Sequence, residues 1–246
     1  MATLEVTRLR KSYGGVRALD GVTFRVEAGE VVAMIGPNGA GKSTCFNLVN
    51  GQLPADEGEI ALEGRSIRGR HPHDIWRLGV GRTFQVAAVF GSMTARENAQ
   101  IGLISLAGDA FRFRGKAEEF RRDEANRLLA DAGMLEQSDT PCAALAYGDL
   151  KRVELALALA NHPRLLLMDE PTAGMAQAER DAMMRRVAQI ARAERIAVLF
   201  TEHDMDVVFG FADRVLVLHQ GVLIAEGAPE AVRTDARVQE VYLGAA

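Results

Sequence analysis

Gly36-Pro37-Asn38-Gly39-Ala40-Gly41-Lys42-Ser43, followed by Thr44, is the stretch on which the fold turns. It fits the spacing G-x-x-x-x-G-K-[ST] and stands between two readable elements. Before it, residues 30–35 form a short run rich in branched apolar side chains, the pattern of a strand buried on both faces. After it, the chain from Lys42 reads as a helix that stops at Gly51. Strand, glycine turn and helix N-terminus in this order make a phosphate cradle. The glycines let successive backbone N–H groups face one anion, and the helix adds the positive end of its dipole. Lys42 is spaced to reach the β- and γ-phosphates of a nucleoside triphosphate, and the Ser43 hydroxyl to ligate Mg²⁺.

The complementary half of such a site lies far downstream. Leu165-Leu166-Leu167-Met168-Asp169-Glu170 is an apolar run that ends in two acids. Ligands bind beyond the carboxyl end of a buried parallel strand. Asp169 is therefore expected in the Mg²⁺ shell, and Glu170 beside the γ-phosphate, where a carboxylate can polarise an attacking water. The base-reading residues of a simple GTPase are not found.

Outward from these two motifs, short apolar runs alternate with longer helical patterns, the sign of a parallel sheet covered by helices. Residues 3–9 and 22–26 alternate apolar and polar and read as half-buried antiparallel strands near an edge, with a further strand at 59–62. From about 86 to 161 the pattern is mainly helical, with helices expected over 94–103, 117–132 and 149–160. A buried strand at 196–201 is separated from the Asp-Glu strand by an amphipathic helix over 177–193. Residues 215–219 and 222–225 form a hairpin around Gln220-Gly221. His71 and His73, on either side of Pro72, read as a loop, and Cys45 as a small buried residue. The reading is a single α/β domain over 1–246, with a core of 1–85 and 162–246 interrupted by a helical subdomain at about 86–161.

Composition bounds the function. The 246 residues carry 29 Lys and Arg against 33 Asp and Glu, a net charge of -4, which argues against a nucleic-acid partner. The basic residues Arg112, Arg114, Lys116, Arg121 and Arg122 are interleaved with Glu118, Glu119, Asp123 and Glu124, as on a solvated helix face. No apolar run approaches the roughly 18–20 residues that span a bilayer, and no leader with a basic and then an apolar stretch is visible. Two cysteines without a CxxC fit a reducing cytoplasm.

Four further segments give these motifs a family. Tyr13 lies in Lys11-Ser12-Tyr13-Gly14-Gly15, Gln85 in Arg82-Thr83-Phe84-Gln85, and His203 in Thr201-Glu202-His203-Asp204; Leu145-Ala146-Tyr147-Gly148-Asp149 directly precedes a helix. In this order the motifs resemble the ATP-binding subunit of an ATP-binding-cassette (ABC) transporter over nearly the whole chain. The resemblance implies a P-loop NTPase with a RecA-like core, an antiparallel β edge and a helical insertion. It also implies that Tyr13 stacks on adenine, that Gln85 senses Mg²⁺ and joins core to helical lobe, and that His203 touches the γ-phosphate. The segment 145–149, with Tyr147 and Gly148, stands where the family's signature meets ATP held by a second ATP-binding subunit. Binding then closes a head-to-tail dimer and hydrolysis opens it.

The sequence departs from the family pattern in two places: in the signature, Ala146 replaces the usual serine and Tyr147 and Asp149 are also non-consensus, and in the loop after Glu170, Ala176 replaces the usual aspartate. By the same resemblance, the absence of a serine hydroxyl at position 146 gives up about 1 kcal/mol of contact to the γ-phosphate. The phrases around Gln85, His203 and Tyr147 further resemble ATP-binding subunits of branched-chain amino acid importers. That implies a cytoplasmic protein on the inner face of the plasma membrane, two membrane permease subunits, and indirectly a periplasmic binding protein. The alternatives are an importer ATPase for urea, amides or aromatic acids, a non-transport cytosolic ABC ATPase, and a P-loop kinase. Residues of about 86–106 are expected to form the socket for the permease, with Val89, Phe90 and Met93 as contacts.

Overall fold

In the computed structural model, which describes residues 2–107, 119 and 121–243, the strand before the glycine turn is β3 (Val31–Ile35), and all five of its residues are buried. It follows β1 (Leu4–Tyr13) and β2 (Val16–Val26) and leads into α1 (Lys42–Val49). After β4 (Glu57–Leu62), β5 (Arg65–Ser66), α2 (Pro72–Arg77) and β6 (Val80–Thr83), the chain builds three helices: α3 (Ala95–Ala107), α4 (Arg122–Ala132) and α5 (Tyr147–Leu159). It then returns through β7 (Leu165–Asp169), α6 (Gln177–Glu194), β8 (Ala197–Thr201), α7 (Met205–Phe211), β9 (Arg214–His219), β10 (Val222–Gly227), α8 (Pro229–Thr234) and α9 (Ala236–Leu243).

The strands form two sheets. One has the order β10-β9-β3-β8-β7-β6, parallel throughout except for β10, which returns antiparallel beside β9 through a turn at Gln220-Gly221. The other is antiparallel, β2-β1-β4-β5, so the alternating strands of the N-terminus form a sheet of their own.

Because successive strand residues point to opposite faces, the parallel sheet feeds two apolar clusters. Val32, Met34, Leu167, Leu199 and Leu216 pack with Leu4, Leu9, Phe24 and Phe46 on the antiparallel-sheet side. Val31, Ala33, Ile35, Leu166, Val198 and Phe200 pack on the opposite face in one cluster with Leu103, Leu129, Leu155 and Met184 from the helices. The apolar interior of α3–α5 is thus continuous with one face of the core sheet.

Several elements differ from the sequence reading. The His71-Pro72-His73 segment is not a loop: His71 caps α2 and Pro72 occupies its first turn, where a missing N–H costs nothing. β6 was not expected; a four-residue strand containing Gly and Arg carries little signal of its own, and its parallel pairing with β7 supplies the hydrogen bonds. The α5 helix begins at Tyr147, two residues earlier than expected. The helix expected over 117–132 appears as α4; residues 108–118, and with them Arg112, Arg114, Lys116 and Glu118, lie outside the described residues.

Candidate functional site

Four neighbouring parallel strands deliver the sequence motifs from their carboxyl ends. β3 runs into the glycine turn at Gly36, β7 ends at Asp169 with Glu170 next, β8 is followed by Glu202 and His203, and β6 by Phe84 and Gln85. This is the edge of an open parallel sheet at which ligands bind.

The turn needs glycine at two of its positions for steric reasons. Gly36 has φ 155° and a Cβ there would sit 2.2 Å from the Leu218 carbonyl oxygen; Gly41 has φ 108° and its Cβ would come 2.5 Å from the Ala18 oxygen. Pro37 and Ala40 complete the curve, Asn38, Gly39 and Ser43 face solvent, and Thr44 lies half-buried in the first turn of α1. The Lys42 ammonium donates to the Gly36 carbonyl at 2.6 Å and the Pro37 carbonyl at 3.2 Å. Burial pushes that ammonium below its ordinary pKa, and the charges of Glu170 and Asp169 oppose the shift. A phosphate oxygen placed in the turn would meet a lysine already aimed inward. Tyr13 is joined to the turn through its hairpin, whose Ala18 packs on Gly41; its ring is about half exposed, with the Lys11 Nζ 5.8 Å from the centroid.

Glu170 is the meeting point of the other motifs. Its Oε2 accepts a hydrogen bond from Gln85 Nε2 at 3.0 Å, and its Oε1 lies 3.1 Å from His203 Nε2. Its backbone has φ 48°, a left-handed conformation that costs a glutamate about 1–3 kcal/mol. Thr201 holds it there: the Glu170 amide donates to the Thr201 carbonyl oxygen and hydroxyl, at 3.1 and 3.2 Å. The same Thr201 hydroxyl donates to Asp169 Oδ1 at 2.7 Å, and Arg82 lies 3.8 Å from Oδ2. Ser43, Gln85 and Asp169 offer hydroxyl, amide and carboxylate oxygens, a donor set suited to a hard cation such as Mg²⁺.

Tyr147 and Gly148 form the first turn of α5, capped by Ala146, which has no side-chain acceptor. The Tyr147 hydroxyl donates to the Gln85 carbonyl at 3.0 Å, so the signature segment touches the Gln85 loop of its own chain. One and two turns further along the same helix face stand Lys151 and Glu154, both buried and both overlooked in the sequence. The Lys151 Nζ donates to the carbonyls of Phe84 and Gln85, while Glu154 Oε1 accepts from the amides of Phe84 and Ala88 at 3.0 and 3.1 Å. Burial drives both toward their neutral forms, lowering the lysine and raising the carboxyl, and each opposes the other's shift. For Glu154 the signal was present as one charge inside an otherwise apolar run, Val153-Glu154-Leu155-Ala156-Leu157, which had to be satisfied by something. Glu202 was likewise missed as a site residue; it is buried beside His203. Ala176, in place of the usual aspartate, caps α6 through its backbone alone, its N–H donating to Glu179 at 3.1 Å.

A family model described as ABC transporter matches residues 19–173, well over half of the chain. The chain is an ABC transporter ATPase. Residues 222–246 of this ATPase match a second model, described as branched-chain amino acid ATP-binding cassette transporter. The ATPase is 38% identical to the high-affinity branched-chain amino acid transport ATP-binding protein BraF of Pseudomonas aeruginosa, over 99% of this chain and 98% of that one. It is 36% identical to LivG of Escherichia coli, a protein of the same description, at the same coverage. A nucleotide-free ATP-binding cassette from an ABC transporter superposes with a TM-score of 0.88 at 33% identity, covering 99% of this chain and 100% of that one. The ATPase therefore stands among the ATP-binding subunits of branched-chain amino acid transporters, which hydrolyse ATP to power transport. Cassettes of this family work as dimers with membrane permeases, and a dimeric cassette with ADP and Pi superposes with a TM-score of 0.79 at 26% identity. Among the described residues of the ATPase, no helix is long and apolar enough to cross a membrane.

Proposed function

We propose that this ATPase drives import of branched-chain amino acids by binding ATP between two subunits and hydrolysing it after closure. The observation that carries the reading is the convergence of Gln85 and His203 on the two oxygens of Glu170, at the same sheet edge as the phosphate turn. Tyr13 stacks on adenine, residues 36–44 cradle the phosphates, and Lys42 exchanges its carbonyl partners for phosphate oxygens. Ser43, Gln85 and Asp169 would hold Mg²⁺, which supplies positive charge against the β- and γ-phosphates. Glu170 takes a proton from the attacking water, and His203 orients the γ-phosphate against it. The N-terminus of α5, at Tyr147 and Gly148, presents free amide groups to ATP held by the partner subunit.

The core of 1–85 and 162–246 and the helical lobe of 86–161 act as the two bodies whose approach closes the site. Two permease subunits hold the dimer at the inner face of the membrane, and a periplasmic binding protein delivers the solute to them. A groove of about 430 Å³ between α2, α3 and α5, lined by Trp76, Phe84, Ala88, Ile101 and Leu157, suits an apolar permease segment. Its lining residue Ala88 directly precedes Val89 and Phe90 in the chain: Val89 packs against the apolar cluster, and Phe90 stays 54% exposed.

The test is the solution mass of Glu170→Gln with Mg-ATP and with Mg-ADP. A dimer with ATP alone supports closure around unhydrolysed nucleotide and shows that Ala146 and Ala176 permit it. A monomer in both, with ATP binding demonstrated, overturns self-pairing and assigns the second position to a different ATPase subunit.

A further inference from the structure

Glu202 is a buried acid that the mechanism above does not use. It stands at the carboxyl end of β8, between Thr201, which holds Asp169 and Glu170, and His203. Its Oε1 accepts two hydrogen bonds from Thr172, from the amide at 2.8 Å and from the hydroxyl at 2.7 Å. Its Oε2 accepts from the His203 amide at 3.2 Å. One carboxylate thus ties the residue two places beyond Glu170 to the backbone of the histidine whose ring meets Glu170. Thr172 is itself buried, so these bonds run through the interior of the site wall.

The consequence is geometric. Glu170 leaves β7 in a left-handed conformation, and its backbone is pinned on one side by Thr201. The Glu202–Thr172 pair pins the other side. Without it, the loop after Glu170 is free to relax toward an ordinary backbone conformation, and the carboxylate swings with it. Because the same carboxylate holds the His203 amide, Glu170 and His203 would lose their common frame together.

We infer that Glu202 is a positioning residue for ATP hydrolysis, setting Glu170 and His203 relative to each other without touching nucleotide. The inference rests on the assignment of Glu170 as the base. Glu202→Ala is expected to lower kcat about 100-fold, the scale of an ångström's misplacement. The Kd for Mg-ADP, measured by calorimetry, should stay within about twofold of the parent, since Lys42 and the phosphate turn are untouched. Glu202→Gln keeps an oxygen for Thr172 and gives up the His203 bond, so its kcat should stay within about fivefold of wild type, the worth of one hydrogen bond. In a Glu170→Gln background, Glu202→Ala should slow the residual rate far less than 100-fold, because only its effect through His203 remains.

The inference fails if kcat is unchanged in Glu202→Ala, if ADP affinity falls in step with kcat, or if the two substitutions multiply. Should Glu202→Ala not fold, Thr172→Ala removes one of the three bonds from the opposite side. An unaltered kcat there also overturns the inference. A Glu170→Gln protein that still hydrolyses ATP at the parental rate would overturn the assignment of the base instead, a distinguishable result.

Discussion

Lys42 in the phosphate turn and Lys151 in the second turn of α5 are both buried cations that donate to two backbone carbonyls: Gly36 and Pro37 for one, Phe84 and Gln85 for the other. Burial lowers the pKa of both. They differ in their counter-charges. Those of Lys42 are Glu170 and Asp169, acids at the site mouth that belong to the chemistry. That of Lys151 is foremost Glu154, one turn along the same helix, which also accepts the amides of the segment whose carbonyls Lys151 holds. Lys42 has bonds that an anion can take over. Lys151 has bonds closed on all sides, so the Gln85 segment travels with α5. The same side chain serves as an exchangeable ligand in one region and as a fixed strut in the other.

The largest effect should come from breaking the exchangeable side. Lys42→Ala is expected to abolish hydrolysis in a phosphate-release assay while leaving the unfolding midpoint nearly unchanged, because a turn that loses an inward lysine gains room and loses a desolvated charge. Substantial remaining activity would sink the assignment of the phosphate site.

Breaking the fixed side should act on stability first. Lys151→Met leaves Glu154 as an uncompensated buried acid, a loss of about 3–5 kcal/mol in urea unfolding. Adding Glu154→Leu should recover part of that loss, since neither charge then remains buried. It should not restore hydrolysis, because the Phe84–Ala88 backbone has lost its holders on α5. If the double variant hydrolyses ATP at the parental rate, the strut is structural only.

Glu30 and Arg214 offer a third ion pair, partly exposed and away from the site, for calibration. Arg214 grips both Glu30 oxygens, at 2.7 and 2.9 Å, and Glu30 also accepts the Glu27 amide. Burial pushes the Glu30 carboxyl up, but the Arg214 and Glu27 hydrogen bonds and the nearby arginine charges outweigh it and hold its pKa below the ordinary carboxylate value. A depressed acid contributes stability in full above its unfolded pKa and loses it as pH falls through the folded value. Glu30→Gln should therefore cost about 2 kcal/mol at neutral pH. It should cost progressively less as the solution is acidified through the carboxylate range, when urea midpoints of both proteins are compared.

What could be read from the sequence followed the same division. The phosphate turn and the Asp169-Glu170 strand end are continuous runs, each stating its chemistry within eight residues or fewer. The sheet edge at which they converge followed from those runs; the strand order did not, since β6 gave little signal of its own. The struts did not, because the partners of Lys151 and Glu154 lie 66–70 positions away and those of Glu202 up to 30. A buried charge in an apolar helix declares that a partner exists without naming it. The start of α5 was read two residues late because Ala146 lacks the acceptor that marks a cap, and β6 because tertiary pairing outweighed a weak local preference.

The smallest effect is expected where the sequence placed a contact and the structure leaves a side chain in solvent. Phe90 is held by its backbone: its amide donates to Asn98 Oδ1 at 2.8 Å and its carbonyl accepts from Asn98 Nδ2 at 3.1 Å, while the ring stays outside. Phe90→Asp should accordingly shift stability by no more than about 0.5 kcal/mol. ATP hydrolysis by the free subunit should be unchanged, because none of those bonds involves the ring. If the permease seats across both the groove at Trp76 and the exposed ring beside it, the same variant should lose transport in the reconstituted assembly. Loss of both activities together would place the ring among the groups that hold the lobe; loss of neither would confine the permease contact to the groove.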